Sequence, residues 1–425
     1  MNNTAIIAKL TNVRPHANAD RLQCATVFGD QVITGLDTKE GDIGIYFDSN
    51  LCLSDEFLKN NNLYRHKEKN LDPNESGMFD DNGRVKCIKL RGETSYGFWI
   101  PLTSLNFIKN VNTIKFEEGL EFNAIHDILI CKKYVIQRTP GEPGSRNRKQ
   151  RKVRVSRLVE GQFKFHEDTD QLAKNIHKIN PNDTIVLTWK MHGTSAIISK
   201  CLVNRKLNFV ERGLKFLGVK IQDTEYDYIY ASRRVVKNEF ESSKEHFYSE
   251  DLWTRVGKEK FGTNLYNGES VYYEIVGYTK DGSLIQGPFD YGCEKGEYKI
   301  YIYRITQTND QGKTIELQWN QLTHRCKQLG LDTVPFIYYG KANRLNPRIR
   351  SIVPETWRTQ FLQYLKDTYV YDQDSIFCKT KLPEEGIVLR KEGFDIEAYK
   401  LKNFRFLNFE SDQKDKGTED IEEQN

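Results

Sequence analysis

Short runs of alternating hydrophobic and polar residues characterise the first 130 residues of the chain. Five of these runs cover residues 5–10, 22–27, 31–34, 44–47 and 85–90, and Gly, Asp and Asn separate them. A period of two predicts β-strands, and closely spaced turn residues favour a small barrel over helices. We therefore expect a β-rich domain over residues 1–130.

The pattern changes after residue 160, where helical and strand-like runs are mixed. Apolar residues that recur every three or four positions predict three helices. Their positions are Leu172, Ile176 and Ile179 behind a capping Thr169; Leu322, Cys326 and Leu329 before Gly330; and Trp357, Phe361, Tyr364 and Leu365 behind Pro354. Apolar runs between them are typical of strands, so we expect residues 161–408 to form a second domain in an α+β chain.

Composition narrows the class of protein. Of the 425 residues, 38% are hydrophobic and 29% are charged, as in soluble globular proteins. No apolar run reaches the length of a membrane span, and the N-terminus does not open a signal peptide. The eight cysteines are scattered without a CxxC pair, which indicates reduced thiols rather than a zinc site. We expect a monomeric intracellular protein, cytoplasmic or nuclear, that contacts no membrane.

The net charge of +4 hides two segments of opposite sign. Residues 132–157 contain ten Lys or Arg and one acid, a local charge of +9, and the Pro- and Gly-rich stretch 139–144 breaks regular structure there. We predict that residues 131–160 are a basic linker that contacts the phosphate backbone of a nucleic acid, although a solvated surface loop could have the same composition. Residues 409–425 are polar and acidic, and are predicted to be disordered.

A lysine nucleophile is the first candidate for chemistry. Lys190 follows an apolar run and precedes Met191, His192 and Gly193. A strand would fix the backbone of this lysine, and a glycine turn would let a nucleotide approach it closely. Neighbouring cations or a bound Mg²⁺ would favour the neutral amine, which could attack the α-phosphate of a nucleoside triphosphate. The same short motif also suits an ordinary strand and turn.

Two glutamates and a pair of lysines could complete such a site. Glu274 lies in the strand-like run 271–277, and Glu385 precedes the apolar run 387–389, so either carboxylate could bind a metal directly or through water. Lys400 and Lys402 alternate with Leu401 and point to one face, where a triphosphate would offset their repulsion. The structural alternatives are an edge-strand glutamate, a turn glutamate and a solvated strand face.

An aromatic residue and an arginine are further candidates. Tyr301 and Tyr303 alternate on one strand face, where a ring could stack on a base, although aromatic strands more often form core. Arg233 follows an aromatic strand. Its guanidinium could contact ribose or phosphate, or remain exposed with no ligand.

The order of these residues resembles the motif order of the covalent nucleotidyltransferase superfamily, which comprises polynucleotide ligases and mRNA capping enzymes. Residues 190–193 look like its first motif, Ser232-Arg233 like the arginine motif that follows, and Tyr273-Glu274 like the third motif. Tyr303 looks like the base-stacking aromatic, Glu385-Gly386 like the fourth motif, and residues 400–402 like the fifth. The resemblance covers about residues 160–408 and depends on order and context.

Further features resemble RNA ligases in particular. Histidine in K-x-H-G is typical of them, whereas DNA ligases and capping enzymes carry aspartate there and continue into a C-terminal OB domain. Here 23 residues follow Lys402, and residues 13–22 resemble the opening of an OB domain instead. This N-terminal OB-like domain and the run 85–92 resemble the Deinococcus-type nick-sealing RNA ligases. Trp189, Ser195 and Arg304 depart from the glutamate, asparagine and aspartate common at these positions in the relatives.

The resemblance implies an N-terminal OB-like β-barrel followed by a mixed α/β nucleotidyltransferase domain with antiparallel sheets. It implies an ATP-dependent RNA ligase for RNA repair, which joins a 3′-hydroxyl to a 5′-phosphate through lysyl-AMP and an adenylated 5′ end. ATP, Mg²⁺ or Mn²⁺, and RNA as a nicked duplex or broken ends are the implied ligands.

The resemblance also implies residue roles. Lys190 would be the nucleophile, with His192 near the leaving pyrophosphate. The residues implied around ATP are Met191, Gly193, Arg233, Glu274, Tyr303, Glu385, Lys400 and Lys402, with Glu385 and Glu274 at the metal. A capping-type guanylyltransferase, a DNA ligase and a non-catalytic RNA- or tRNA-binding protein remain alternatives.

Overall fold

The computed structural model describes residues 4–135, 157–237, 248 and 250–416. These residues form a strand-rich N-terminal unit and a larger unit that contains two five-stranded sheets. Within the described ranges, no helix has the length and apolar character that crossing a membrane requires.

The N-terminal unit consists of small antiparallel sheets, as its alternating pattern predicts. Its elements are β1 (Ala5–Lys9), β2 (Thr11–Pro15), β3 (Leu22–Val27), β4 (Asp30–Gly35), β5 (Ile43–Asp48), β6 (Leu51–Leu53), α1 (Asp55–Asn60), β7 (Ile88–Leu90), β8 (Glu93–Ser95), β9 (Gly97–Pro101), β10 (Glu121–Phe122), β11 (Ala124–Ile125), β12 (Ile128–Leu129) and β13 (Cys131–Lys133). The two main sheets have the orders β10-β1-β5-β9 and β2-β3-β4.

Strand β1 explains the compactness of this unit, because both of its faces are buried. Ile7 belongs to the core that contains Phe57 of α1, whereas Ile6 packs with Val32 of β4. The prediction for residues 22–27 is confirmed to the residue. The predicted strand 85–90 is shorter than expected and begins at Ile88.

The larger unit contains the remaining elements. They are β14 (Asp170–Gln171), α2 (Leu172–Asn175), β15 (Thr184–Trp189), β16 (Thr194–Asn204), α3 (Phe209–Phe216), β17 (Thr224–Ser232), α4 (Leu252–Phe261), β18 (Glu269–Gly277), β19 (Tyr298–Thr308), β20 (Thr314–Glu316), α5 (Trp319–Leu329), β21 (Phe336–Lys341), α6 (Ala342–Leu345), α7 (Pro354–Leu365), β22 (Gly386–Lys391), β23 (Glu397–Lys402) and α8 (Phe404–Lys416). The sheet orders are β14-β23-β22-β15-β21 and β17-β16-β18-β19-β20.

Alternation along β15 and β22 gives the first of these sheets one apolar face and one face toward a cavity. Ile185 and Leu187 pack with Trp357 and Phe361 of α7. Val186, one position along β15, points the other way and lines the cavity between the two sheets. The strands that carry the predicted nucleophile and lysine pair are therefore held from behind by a packed core.

Two of the three helix predictions were confirmed. Helix α5 ends at Gly330, which adopts a left-handed conformation with φ 67°. Helix α7 begins with Pro354, as predicted. The predicted cap at Thr169 was wrong: residues Asp170–Gln171 pair with β23 as a strand, so α2 begins only at Leu172 and gives way to a short 3-10 helix at Ile176–Lys178.

The structure differs from the prediction for part of the acidic C-terminal segment. Residues 409–416, placed in a disordered tail, belong to helix α8, which packs its aromatic residues Phe406 and Phe409 on the core of the larger unit. Asp415 accepts a hydrogen bond of 2.6 Å from Arg84 and lies 3.0 Å from Lys86. Residues 136–156 of the predicted basic linker and residues 417–425 of the tail lie outside the described residues.

Replacing Arg84 by alanine is expected to lower the free energy of unfolding by about 1–3 kcal/mol, because a buried guanidinium loses charge-assisted bonds to Asp415 and to the Ser411 carbonyl. Thermal denaturation would measure the loss. The matched control is Lys115→Ala, which removes an exposed ion pair with Glu117 in the same unit and should change stability by less than about 0.5 kcal/mol. Equal losses in both variants would contradict the role of Arg84.

Candidate active site

A cavity of about 510 Å³ lies between the two five-stranded sheets and reaches the N-terminal unit. It brings together most of the residues that the sequence singles out. The predicted residues on its wall are Lys190, Met191, Arg233, Glu274, Tyr303, Glu385, Lys400 and Lys402. The motifs are spread over more than 200 residues of sequence, so their convergence on one cavity is a property of the fold.

Lys190 directly follows β15, and its backbone is held by a hydrogen bond to the neighbouring strand β22. Its N–H donates a 2.9 Å hydrogen bond to the carbonyl of Gly386. Its ammonium Nζ lies 2.7 Å from Oε1 of Glu385. The side chain is about a quarter exposed, so it is anchored by a buried carboxylate and remains open to the cavity.

Glu385 is the centre of this charge arrangement. Its side chain is 2% exposed, and its Oε1 lies 3.5 Å from Nζ of Lys402 in addition to the contact with Lys190. Burial alone would raise the pKa of this carboxyl, but Lys190, Lys402 and His192 hold the pKa below its usual value. The next residue is Gly386. Glycine is required at this position because a Cβ would collide with the carbonyl oxygen of Leu401 in β23.

The predicted lysine pair is confirmed as one face of β23. Lys400 lies opposite Val388 and Lys402 opposite Gly386 across the ladder to β22. Lys402 also donates a 2.6 Å hydrogen bond to Glu410 of α8, a residue that the sequence did not indicate. Burial lowers the pKa of Lys400 to about 7, and repulsion from Lys402, Lys190 and Arg233 acts in the same direction.

Binding of pyrophosphate near pH 8 is expected to take up close to one proton. Lys400, with its pKa near 7, is largely neutral at that pH, and a polyanion favours the charged form and raises the pKa. Titration calorimetry in two buffers with different ionisation enthalpies would measure the uptake. Lys400→Met should remove it, and equal heats in both buffers for the unmodified protein would contradict the assignment.

Arg233 is held by a carboxylate that the sequence did not reveal. Its guanidinium is hydrogen-bonded to Asp168, which also accepts a 3.2 Å bond from Arg234. Burial opposes the charge on Asp168, but Arg233 holds the pKa of that carboxyl well below its usual range. Asp168 lies outside every recognisable motif, so only the fold identifies it.

Tyr303 lines the cavity with its hydroxyl already engaged. The hydroxyl lies 2.8 Å from Oγ of Ser195 and 3.0 Å from Nδ1 of His166. Burial lowers the pKa of His166 to about 3, with Arg233 adding to the effect, so the imidazole is neutral and its Nδ1 can accept a hydrogen bond from the tyrosine hydroxyl. Ser195 and His166 therefore fix the ring of Tyr303, and neither role was predicted.

His192 and Gly193 are the two predicted site residues that do not line the cavity. The imidazole of His192 packs edge-on against Phe289 and Phe406, with ring centroids 5.0 and 4.8 Å away. Burial lowers its pKa to about 4, so the ring is neutral near pH 7. A Cβ at Gly193 would collide with the Ile275 carbonyl oxygen, so this glycine allows β16 to lie close to β18.

Glu274 lies on a central strand, because β18 pairs with β16 on one side and β19 on the other. The alternative of an edge-strand surface glutamate is therefore wrong. Glu274 lies opposite Ser195 across the ladder and contributes to the same cavity wall.

The carboxylates fit a divalent cation that is bound mainly through phosphate and water. Oε2 of Glu385 is buried and has no hydrogen-bond partner, so one acceptor of this site is available. Within the described residues, no group of three or more His, Cys, Asp or Glu side chains forms a complete metal site. A metal here would need oxygen ligands from a bound nucleotide.

The chain belongs to the RNA ligase family. The RNA ligase family model matches residues 183–402, just over half of the chain, and a model of an OB-fold domain matches residues 4–102. These matches confirm the predicted class of enzyme, its RNA substrate and the OB fold of the N-terminal unit. A comparison with curated proteins found no significant match.

Solved structures show the same two-unit fold. The apo form of a Naegleria gruberi RNA ligase mutant superposes with a TM-score of 0.61 at 16% identity, covering 97% of this chain and 100% of that one. A second mutant of the Naegleria gruberi enzyme, with ATP and Mn, gives 0.59 at 15% identity over 96% and 98% of the two chains. A third, with AMP and Mn, gives 0.59 at 16% identity over 96% and 99%.

Proposed function

We propose that this protein is an ATP-dependent RNA ligase that stores AMP on Lys190 and uses it to join RNA ends. The observation that carries the proposal is the 2.7 Å contact between Lys190 and buried Glu385, on a wall that also presents Lys400 and Lys402. This arrangement supplies an amine, a counter-charge and two cations at one place, which are the requirements of phosphoryl chemistry on a lysine.

In the first step, the lone pair of Lys190 Nζ attacks the α-phosphorus of ATP. The bond from that phosphorus to the bridging oxygen breaks, pyrophosphate leaves with the electron pair, and a phosphoramidate joins lysine to AMP. The amine must first lose its proton to solvent, and the cations around it, together with a bound divalent cation, would favour its neutral form. Glu385 at 2.7 Å holds the amine in position. A bound divalent cation, held by Glu385 and Glu274, would offset charge on the phosphates.

The other walls of the cavity suit the remaining parts of the nucleotide. Arg233 and Glu274 are assigned to ribose, and Tyr303, fixed through its hydroxyl, presents its ring to the base. Lys400 and Lys402 are assigned to the phosphates. His192 lies off the wall, so we assign it to positioning Lys190 through the intervening turn instead of to contact with pyrophosphate.

The second and third steps use RNA. A 5′-phosphate oxygen attacks the phosphorus of lysyl-AMP and releases Lys190, and a 3′-hydroxyl then attacks the activated 5′ end and expels AMP. The N-terminal unit is placed to contact RNA close to these reactions, since its residues Asp48, Tyr96 and Tyr134 line the same cavity. Nicked duplex is the substrate we favour, with broken single-stranded ends as the second form.

The cellular setting is part of the proposal. The eight cysteines are all free, which supports a reducing intracellular compartment, cytoplasm or nucleus. Action as a monomer is part of the same proposal.

The rival functions differ in the nucleotide that they use. A capping-type guanylyltransferase would accept GTP, and a non-catalytic RNA-binding protein would accept neither nucleotide. Trp189 replaces the glutamate that reads adenine in related ligases, so base choice must be measured.

Intact-protein mass spectrometry after incubation with Mg²⁺ and ATP or GTP, without RNA, would test the proposal. A gain of one AMP, mapped to Lys190, is expected. A gain of GMP alone would overturn the preference for ATP. No adduct with either nucleotide, after pyrophosphatase treatment, would overturn the enzyme assignment.

A further inference from the structure

The far end of the sheet that carries Lys190 has an unusual distribution of charge. Residues 333–354 contain four cations and no acidic residue. Three of the cations, Arg344, Arg348 and Arg350, are exposed and lie within seven residues of sequence. We name these three residues the distal arginine patch.

Most arginines in the described part of the chain form an ion pair with a carboxylate, whereas those of the distal patch do not. None of the three forms an ion pair or a side-chain hydrogen bond within the part of the chain that the structure describes. The arginines that do pair with a carboxylate include Arg14, Arg157, Arg205, Arg255, Arg304, Arg325, Arg390 and Arg405. The distal patch is therefore a local excess of positive charge.

We propose that the distal arginine patch binds the phosphate backbone of the RNA substrate at a distance from the reacting ends. The guanidinium group matches phosphate geometry and stays charged at all relevant pH values. The inference rests on the proposed function, because that function makes a polyanion the substrate. It adds a contact surface outside the cavity and outside the predicted basic linker.

Strand register gives the distance between the patch and the nucleophile. Lys341 at the end of β21 pairs with Thr184, and Lys190 is six residues further along β15. At about 3.3 Å per residue, the end of β21, three residues before Arg344, lies roughly 20 Å from the nucleophile. That separation corresponds to roughly six to eight base pairs of an A-form RNA duplex.

Helix α7 places the patch at the end of the larger unit that is remote from the N-terminal unit. The helix starts at Pro354, four residues after Arg350, and Lys366, just past its end, donates a 2.5 Å hydrogen bond to Asp30. Its 12 residues span roughly 18 Å. RNA contacts at the N-terminal unit and at the patch would therefore lie at opposite ends of the larger unit.

The test compares RNA substrates that differ in length. The probes are nicked RNA duplexes closed by hairpin loops, with stems of about 4 or about 12 base pairs on each side of the nick, so that only the longer stems reach the patch. The variant is R344Q/R348Q/R350Q in the full-length chain. Fluorescence anisotropy over a range of salt concentrations gives the affinity and its salt dependence.

The long probe should bind the triple variant about tenfold more weakly at roughly 0.1 M salt, with a salt slope smaller by about two to three. The short probe should bind equally to both proteins, and AMP adduct formation should be unchanged. The control variant K295Q/K313Q/K327Q removes three exposed lysines scattered over other surfaces. It should leave the affinity for both probes within about twofold of the unmodified protein.

Unchanged affinity and slope with the long probe would overturn the proposal and leave the patch as a protein-facing or solvated surface. Equal loss with both probes, or with the control variant, would also overturn it. The binding measurement requires no catalysis. A protein that forms no AMP adduct would therefore refute the proposed function and still allow the patch to be tested.

Discussion

Replacing Lys190 by alanine is expected to reduce formation of the AMP adduct by at least about 10³-fold, to a level that mass spectrometry does not detect. Among the described residues no substitute amine is equally placed, because Lys402 is hydrogen-bonded to Glu410 and buried Lys400 projects from a different strand. The measurement is the adduct yield with ATP and Mg²⁺ over time.

A second measurement separates lost chemistry from lost structure. Sealing of RNA that already carries a 5′ adenylate needs no lysine nucleophile, so Lys190→Ala should retain it. Lys215→Ala is the matched control, since Lys215 is paired with Asp223 on a remote surface. Adduct formation by the Lys190 variant would refute the nucleophile assignment, and loss of both reactions would show that the substitution disrupts the fold.

The sequence predicts the parts of this fold that depend on local patterns. Period-two alternation located β3 to the residue, and the helical stripes located α5 and α7 with their glycine and proline boundaries. Motif order located the strands that converge on the cavity. The strand and helix predictions succeeded because each depends on residues a few positions apart.

The remaining features depend on contacts between distant segments. Asp168 reaches Arg233 across 65 residues, and Arg84 reaches Asp415 across 331. Composition predicted disorder after residue 409, yet residues 409–416 belong to α8, in which Glu410 contacts Lys402 and Asp415 contacts Arg84 of the N-terminal unit. The sequence pattern could not show this, because an acidic segment without its partner has no reason to fold. His192 shows a further limit of sequence analysis. Its motif was recognised, but a position in a motif does not determine whether the side chain faces the cavity.

Replacing Glu385 by glutamine is expected to slow adduct formation by about 10²–10³-fold. The amide keeps the volume of the side chain but removes the negative charge that Lys190 and Lys402 share. It also replaces one of the two carboxylate oxygens by an NH2 group, so the variant cannot keep both the acceptor 2.7 Å from the nucleophile and the buried oxygen available to a metal. Single-turnover rates of adduct formation, measured over a range of Mg²⁺ and Mn²⁺ concentrations, would quantify the effect.

The dependence on metal distinguishes the two roles of Glu385. If the carboxylate acts only by holding the amine of Lys190 in position, the glutamine variant should remain slow at every metal concentration. If it also helps to bind the metal, the variant should need more metal to reach half its maximal rate. Glu410→Gln is the control, because it removes the other partner of Lys402 without touching Lys190. A rate for Glu385→Gln that equals that of the unmodified protein under all these conditions would contradict both roles, and would leave the buried carboxylate as a structural counter-charge alone.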